Sequence, residues 1–411
     1  MTMTQSQNTT AKEISLWESL SIATSSSAPL YSVIITSILM FPLVGTLGVP
    51  LVYMLAAVPS LLVCYSMIVN NTHLTSKGSV YSWTGKGIIS WLSGYSLMAT
   101  GIICTAGLAV YASIVLLPGQ SVMMQAFLSA IIVALGVLIN TISIRATTWV
   151  QNAGLLVQII ALGYITYYFI NDTSIAWSIH GNIVDWTHAF VLALFAYWGF
   201  DAVFALSEES KKGVPNKTSM ISIVIILIFY IFASLLSPSV YDEIIANDFI
   251  RIAIAISSIT AIGSTLIPTV RGIESMSDNG EFFKVFSHRI PTSIFVSLAT
   301  FAWIIVSLIN EGFFWDSIEA LSIMVGFYFT MSCIAAYRFT SDKIHLISAI
   351  IMGVLTTVVF IYMFTPEYGE TTVGNIGGVG IIVIALFIIG AILAAFFTRK
   401  EPMSEVQVVL A

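Results

Sequence analysis

Twelve apolar stretches, each long enough to cross a lipid bilayer as a helix, follow one another along this chain of 411 residues. A helix rises about 1.5 Å per residue, so about 20 apolar residues cross roughly 30 Å of hydrocarbon. Only 9% of the residues are charged, whereas a water-soluble domain carries about 25%. The sequence therefore predicts an all-α membrane protein with twelve transmembrane helices, called spans 1 to 12 below.

Several predicted spans are separated by only a few residues, which makes consecutive spans antiparallel. The predicted spans cover residues 15–41, 46–70, 88–117, 122–141, 149–170, 186–207, 219–238, 250–272, 292–309, 317–339, 344–364 and 377–398. Residues 1–14 and 399–411 are predicted to be terminal tails. No predicted loop is long enough to bury a core of its own.

The Lys and Arg residues predict the orientation of the spans, because cytoplasmic loops are enriched in both. With the N-terminus inside, fourteen of the fifteen Lys and Arg residues fall on the cytoplasmic side, and only Arg251 falls outside. We therefore expect a multi-pass protein of the cell membrane with both termini in the cytoplasm. The outer loops are acidic, and we expect their carboxylates, Asp316 and Glu370 among them, to serve only to solvate the loops.

Span 1 carries a run of serines before a proline in its middle, Ser25-Ser26-Ser27-Ala28-Pro29. Proline lacks an N–H and clashes with the preceding turn, but it is favoured as the first residue of a helix. The pattern predicts that residues 25–29 are non-helical, that a second half-helix starts at Pro29, and that Ser26 or Ser27 caps it. The N-terminus of such a half-helix suits a carboxylate. A proline kink in a continuous helix is the alternative.

Span 6 contains the run from Phe195 to Asp201, in which Gly199 is a weak point for a helix among four aromatic residues. Asp201 lies deeper in its predicted span than any other carboxylate, and an ionisable group at that depth is functional by default. Tyr197 and Trp198 lie well inside the span, although such residues normally cluster at its ends. We expect these rings to line a pocket, with ordinary core packing as the alternative.

Spans 1 and 6 are five spans apart, and this spacing resembles the LeuT-type transporter fold. In that fold two five-span repeats of inverted topology each begin with a discontinuous helix, and the solute binds between the two breaks. The resemblance implies that residues 15–170 and 186–339 are the two repeats. Residues 344–398 are then two additional spans.

Three predicted cytoplasmic segments resemble motifs of the amino acid–polyamine–organocation (APC) superfamily of transporters. They are residues 77–83, 201–217 and 271–280. In the first, which is similar to the motif P-x-G-G-x-Y-x-Y, Lys77 and Ser79 depart from the usual small residue and second glycine. The break in span 1 of this superfamily is usually G-x-G, so serine side chains replace bare backbone here.

The resemblance implies a permease that carries a small amino acid across the membrane by alternating access. Backbone groups of residues 25–28 would hold the carboxylate of the solute, and backbone groups of residues 196–199 would accept from its amino group. Phe195 would close the site from outside, and Tyr197 and Trp198 would line it. The predicted solute-binding residues are Ser25, Ser26, Ser27, Ala28, Phe195, Ala196, Tyr197, Trp198 and Gly199.

The sequence also indicates how transport is driven. Gln158 in span 5 stands where some proton-dependent relatives have a lysine, and an amide cannot titrate. We therefore expect Asp201 to bind and release the proton in a proton-coupled cycle, because burial disfavours its charged form. Exchange of one solute for another is the alternative. Span 8 carries hydroxyls that could bind sodium together with backbone carbonyls of span 1: Ser257, Ser258, Thr260, Ser264 and Thr265. Ser264 and Thr265 are the candidate cation site, but we favour the alternative that these hydroxyls form hydrogen bonds between helices.

An exchanger of polyamines, other amines or cationic amino acids is the alternative within the same fold, since Asp201 offers a negative charge to a cation. An intramembrane enzyme would need a nucleophile with its base or a metal cluster, and the five histidines show no metal-ligand spacing. A channel would need a repeated polar filter or a ring of charges. We therefore expect a transporter without catalytic residues, cofactor or nucleic-acid partner, whose partners are a small solute, lipid and protons.

Overall fold

The computed structural model describes residues 13–171, 177–235 and 246–398. Within these ranges, twelve segments are long and apolar enough to cross a membrane, and they follow the order of the predicted spans. Spans 1 and 6 are each divided into two shorter helices. The protein is therefore a multi-pass α-helical membrane protein with two discontinuous spans.

Spans 1 to 5 contain the helices α1 Leu16–Ser26, α2 Pro29–Val44, α3 Gly48–His73, α4 Val80–Trp83, α5 Ile88–Leu116, α6 Val122–Ile142 and α7 Ile144–Asn171. Helices α1 and α2 together form span 1, and α4 is a single turn between spans 2 and 3.

Spans 6 to 10 contain α8 Ile183–Ala196, a first 3₁₀-helix Phe200–Leu206, α9 Val214–Ser234, α10 Asp248–Asp278, a second 3₁₀-helix Lys284–Ser287, α11 Arg289–Ile309 and α12 Glu311–Thr340. Helix α8 and the first 3₁₀-helix form span 6. Spans 11 and 12 are α13 Lys343–Tyr362 and α14 Gly378–Phe397, with a hairpin of β1 Thr372–Val373 and β2 Ile376–Gly377 between them.

Helices α7 and α9 each begin five residues before their predicted starts, at Ile144 and Val214, and two other helices extend six residues past their predicted ends. Helix α10 continues to Asp278 instead of ending at residue 272, and α12 begins at Glu311 instead of residue 317. Hydropathy ended span 8 too early and started span 10 too late, because the additional turns of both helices carry charged residues. Neighbouring segments of the protein cover much of this polar surface: Glu274 and Asp316 are both buried.

Several helix starts outside the breaks follow ordinary capping rules. Ser15 accepts from the Glu18 N–H, and the Glu18 carboxylate accepts from the Ser15 N–H in return. Asn182 and Asp185 form the same reciprocal pair before α8, and Asn310 caps α12. Such caps satisfy N–H groups that the helix itself leaves without a partner.

The loop between α13 and α14 is fastened to the bundle by Asp316. This carboxylate is 0% exposed and accepts from the Glu370 N–H at 2.6 Å, from the Thr371 N–H at 2.9 Å and from the Thr371 hydroxyl. A charged acceptor with several donors makes strong hydrogen bonds. The expectation that Asp316 only solvates a loop is wrong, because the loop folds over it.

Helices α5 and α10, which form spans 3 and 8, pack together along the middle of the bundle. Gly101 of α5 lies directly against Thr269 of α10: a Cβ atom on Gly101 would lie 1.8 Å from the Thr269 hydroxyl oxygen. Most residues of both helices are buried. The close approach of these two helices therefore depends on glycine at position 101.

We expect Gly101→Ala to lower the melting temperature of the purified protein in detergent, because overpacking a core costs about 1–3 kcal/mol. Gly163→Ala is the control, since a Cβ atom there would meet no other heavy atom within 4 Å. Equal melting temperatures for the two variants would contradict the close packing of α5 and α10.

Candidate functional site

Span 1 is interrupted, as the sequence predicts, but over a shorter segment. Ser25 and Ser26 are the last residues of α1, and only Ser27 and Ala28 separate them from Pro29, the first residue of α2. Ala28 has a φ of 44°, a left-handed conformation that redirects the chain between the half-helices. The prediction that all of residues 25–29 are non-helical is wrong, because helix α1 continues through Ser26, three residues before the proline, and Pro29 itself is helical.

Side chains from other spans cap the first N–H groups of α2. Gln158 Oε1 of span 5 accepts from the Leu30 N–H, and Ser257 Oγ of span 8 accepts from the Tyr31 N–H, at long hydrogen-bond distances of 3.4 and 3.3 Å. Ser257 also donates to Gln158 Oε1 at 2.8 Å. The predicted capping by a serine of the break is wrong, because the N-cap residue is Ala28.

Span 6 is interrupted at residues 197–199, between α8 and the first 3₁₀-helix. Gly199 has a φ of 122°, and a Cβ atom there would lie 2.7 Å from the carbonyl carbon of Ser26. The backbones of the two breaks are therefore in direct contact. At the end of α8, the Ala196 carbonyl accepts from the Tyr230 hydroxyl of span 7 at 2.6 Å.

Asp201 is linked to two of the predicted pocket aromatics. The carboxylate is 6% exposed and accepts from the Tyr328 hydroxyl of span 10 at 3.0 Å. The Tyr328 oxygen in turn accepts a hydrogen bond from the Trp198 indole N–H. The rings of Phe195 and Trp198 are stacked with centroids 5.9 Å apart. This network connects the buried carboxylate with the aromatic side chains and joins span 6 to span 10.

Tyr197 belongs to a buried tyrosine cluster beside the break. Its hydroxyl donates to the Tyr53 carbonyl of span 2 at 3.1 Å, and its ring lies 5.3 Å from that of Tyr230. Tyr53 and Tyr230 also pack on each other, with centroids 4.8 Å apart. These contacts tie the break in span 6 to spans 2 and 7, so the structure gives Tyr197 a packing role, and its predicted role in lining the pocket stays a prediction.

The two residues of the candidate cation site differ in their hydrogen bonding. Ser264 donates to carbonyls of its own helix, those of Thr260 and Ala261. The Thr265 hydroxyl is buried without a partner among the described residues, and the Ser25 and Ser27 hydroxyls share this condition. A buried polar group without a hydrogen bond costs about 1–3 kcal/mol. The described residues therefore leave the hydroxyls of Ser25, Ser27 and Thr265 without a partner, whereas the Ser264 hydroxyl is already engaged.

The sequence did not lead us to Tyr230 or Tyr328. Ser257 was considered only among the span 8 hydroxyls that could bind sodium, and Gln158 only as a residue that cannot titrate. Each is a polar or phenolic side chain deep in an apolar span, and that placement is the one signal that could have singled them out. Their function here depends on which spans are neighbours in the folded bundle.

No protein-family model matches the chain, and no curated protein matches it in sequence. The chain is similar in structure to the manganese transporter of Eremococcus coleocola in complex with an aromatic bis-isothiourea substituted compound. That likeness covers 95% of this chain and 100% of the other, with a TM-score of 0.58 and 13% identity. A mutant of the same transporter covers 96% of this chain and 98% of its own, with a TM-score of 0.56 and 13% identity.

At this identity the likeness shows the fold alone. Together with the twelve spans and the breaks in spans 1 and 6, it shows a LeuT-type transporter fold with two five-span inverted repeats and two additional spans. The predicted fold class is confirmed. Membership of the APC superfamily stays a prediction from the sequence motifs.

We expect Gln158→Leu to destabilise the protein, because it leaves the Leu30 N–H without its acceptor in a region that water does not reach. An unsatisfied buried donor costs about 1–3 kcal/mol. Thermal unfolding in detergent measures the effect, and Gln120→Leu, at an exposed position in the turn before α6, is the matched control. If both variants unfold at the same temperature, Gln158 does not hold the break.

Proposed function

We propose that this protein is a secondary transporter of the cell membrane that moves a small solute with an amino group by alternating access. The solute would bind between the breaks of spans 1 and 6. The observation that carries this proposal is the contact between Gly199 and the backbone of Ser26, which brings the ends of the half-helices together beside Asp201. Half-helices without a continuous backbone ladder can move separately as the site alternates between the two sides.

The groups that remain unbonded or negatively charged near the breaks favour an amine as the solute. The Leu30 and Tyr31 N–H groups, which would bind a carboxylate, are already bonded to side chains. The groups near the breaks that could contact a solute are the unpaired hydroxyls, the Asp201 carboxylate and the ring faces of Phe195 and Trp198. Carboxylates and aromatic faces attract an ammonium group. In this conformation an amine therefore fits better than the neutral amino acid that the sequence resemblance implies, whose carboxylate would have to displace Gln158 or Ser257.

The structural neighbours are manganese transporters, so manganese is the alternative substrate to an amine. Such ions prefer several carboxylate, carbonyl or water oxygens in octahedral geometry. Among the described residues, the side chains near the breaks are hydroxyls, aromatic rings, the Gln158 amide, whose oxygen already accepts two hydrogen bonds, and the carboxylate of Asp201. Among the residues that the structure describes, no group of three or more His, Cys, Asp or Glu side chains is arranged to hold a metal ion. We therefore favour the amine.

We also propose that Asp201 couples transport to protons. Burial disfavours its charged form. A protonated carboxyl group accepts a weaker hydrogen bond from the Tyr328 hydroxyl than an ionised carboxylate does. Uptake of a proton would therefore loosen the link from Asp201 through Tyr328 to Trp198. Sodium is the alternative coupling ion, because the Thr265 hydroxyl has no hydrogen-bond partner among the described residues and could bind it.

A thermal-shift screen of the purified protein against amines, amino acids and manganese chloride tests the cargo. A ligand at 100 times its dissociation constant stabilises the native state by about 2.7 kcal/mol, and we expect amines to give the largest shifts. Trp198→Ala should remove the shift while leaving most of the folded yield, and Trp149→Ala, at a 71% exposed tryptophan, should keep it. Stabilisation by manganese or neutral amino acids alone would overturn the amine.

Transport by Asp201→Asn in proteoliposomes tests the coupling. We expect accumulation driven by a pH gradient to vanish while counterflow of the solute persists, because the amide fills the same space but cannot carry a proton. Asp342→Asn is the control, since this exposed residue caps α13 and asparagine caps equally well. Intact pH-driven accumulation in Asp201→Asn would exclude this carboxylate, and accumulation only with a sodium gradient would favour Thr265.

A further inference from the structure

Two large clusters of buried apolar side chains form most of the core, and three residues pack against both of them. The first cluster includes Trp198, and the second includes Ala28 of the break in span 1. Among the described residues, the partly buried apolar side chains that contact both clusters are those of Tyr31, Cys104 and Phe195. They come from spans 1, 3 and 6, and we call the space between them the seam.

The seam adjoins the place where the two breaks meet. Tyr31 is the third residue of α2, and Phe195 is the second-last residue of α8, where its ring stacks on that of Trp198. Cys104 interacts electrostatically with Tyr31 and with Tyr328, whose oxygen accepts the hydrogen bond from the Trp198 indole N–H. Packing and these contacts therefore bring the three residues together beside the breaks.

Cys104 has accessible surface in the middle of a helix that is otherwise buried. From residue 93 to residue 110 of α5, it is the one residue that is not buried. A helix face that lies against lipid shows exposed residues one turn apart. The residues one turn before and after Cys104 are all buried, namely Thr100, Gly101, Gly107 and Leu108. The accessible surface of Cys104 therefore faces the inside of the bundle.

An aromatic pair closes the seam toward the side predicted to face outside. Tyr111 follows Cys104 by seven residues, which places both on one face of α5. The ring of Tyr111 meets that of Tyr31 edge to face, with centroids 4.6 Å apart. Asp201 lies beyond the break in span 6, toward the predicted cytoplasmic side. A solute held between the breaks would therefore place one end at Asp201 and the other in the seam.

The side chains of the seam suit hydrocarbon better than a second charge. They are a phenol, a thiol and a phenyl ring, and at neutral pH none of these groups is normally charged. An unpaired polar group lies at the break itself, where the Ser27 hydroxyl is 4% exposed and has no partner among the described residues. Burying methylene groups is favourable, whereas burying an ammonium group without a counter-charge is costly.

We propose that the seam holds the apolar body of the solute while Asp201 holds its single ammonium group. The substrate class is then a monoamine with a short hydrocarbon body, and Cys104 limits the size of that body. A polyamine fits poorly, because its second ammonium group would lie in the seam. The proposal rests on the proposed function for the position of the first ammonium group.

A thermal-shift titration of the purified protein with butylamine and 1,4-diaminobutane tests the substrate class. The two compounds have the same carbon chain and differ by one ammonium group. We expect butylamine to reach its half-maximal shift at a concentration at least about tenfold lower, because the second charge would be buried without a partner. An equal or lower concentration for 1,4-diaminobutane would overturn the monoamine and keep the amine transporter.

Modification of Cys104 by methyl methanethiosulfonate tests the seam in the unsubstituted protein. Peptide mass spectrometry follows each cysteine separately, and the buried Cys64 and Cys333 are the internal controls. Butylamine at ten times its dissociation constant leaves about one site in eleven free, so it should slow the reaction of Cys104 about tenfold. An unchanged rate would overturn the seam. So would a thiol that reacts only after unfolding, since Cys104 would then face no accessible space.

Substitution of Cys104 tests the limit on size. Cys104→Phe fills the seam, so the concentration of butylamine at half-maximal shift should rise at least about tenfold while that of methylamine stays the same. Cys104→Ser, which keeps the volume, is the matched control and should keep the response to both amines. Unchanged binding of butylamine by Cys104→Phe would contradict the size limit. The modification experiment needs no variant and decides the matter if Cys104→Phe does not fold.

Failure of the seam is distinguishable from failure of the proposed function. An amine that stabilises the protein but leaves the modification rate of Cys104 unchanged would overturn the seam and keep the amine transporter. The absence of a shift with every amine would overturn the proposed function, and the monoamine with it.

Discussion

A helix interrupted inside a membrane leaves backbone groups that hydrocarbon cannot satisfy, so the protein must supply their partners. Here Gln158, Ser257 and Tyr230 supply them from spans 5, 8 and 7, and Gly199 lets the two interruptions touch. These partners come from both five-span repeats. The breaks therefore persist only because the bundle around them is assembled, and the site between them is a product of tertiary packing.

The same constraint shapes what the site can bind. Because the N-terminus of α2 is already capped, a ligand at the proposed site would meet hydroxyls, aromatic rings and the Asp201 carboxylate in place of free N–H donors. The hydrogen bonds from Trp198 to Tyr328 and from Tyr328 to Asp201 join these groups to span 10. A ligand or proton shifts a conformational equilibrium only through a difference in its interactions with the two states, and this network is where such a difference would arise.

The features that could be predicted from the sequence are those that depend on residues close together along the chain. The length of apolar stretches predicted twelve spans, and the run before Pro29 and the weak point at Gly199 predicted both breaks. The caps at Gln158 and Ser257 could not be predicted, because they depend on which spans become neighbours. The fastening of the loop by Asp316 could not be predicted for a related reason: hydropathy started span 10 at residue 317, although a folded loop covers the polar turn before it.

A cryo-electron microscopy structure with the solute that stabilises the protein most would show directly where the solute binds. We expect ligand density between the two breaks, within hydrogen-bonding distance of Asp201 and against the rings of Phe195 and Trp198, with Gln158 still beside the Leu30 N–H. Density that replaces Gln158 at α2 would contradict the amine assignment. Density away from both breaks would contradict the site itself.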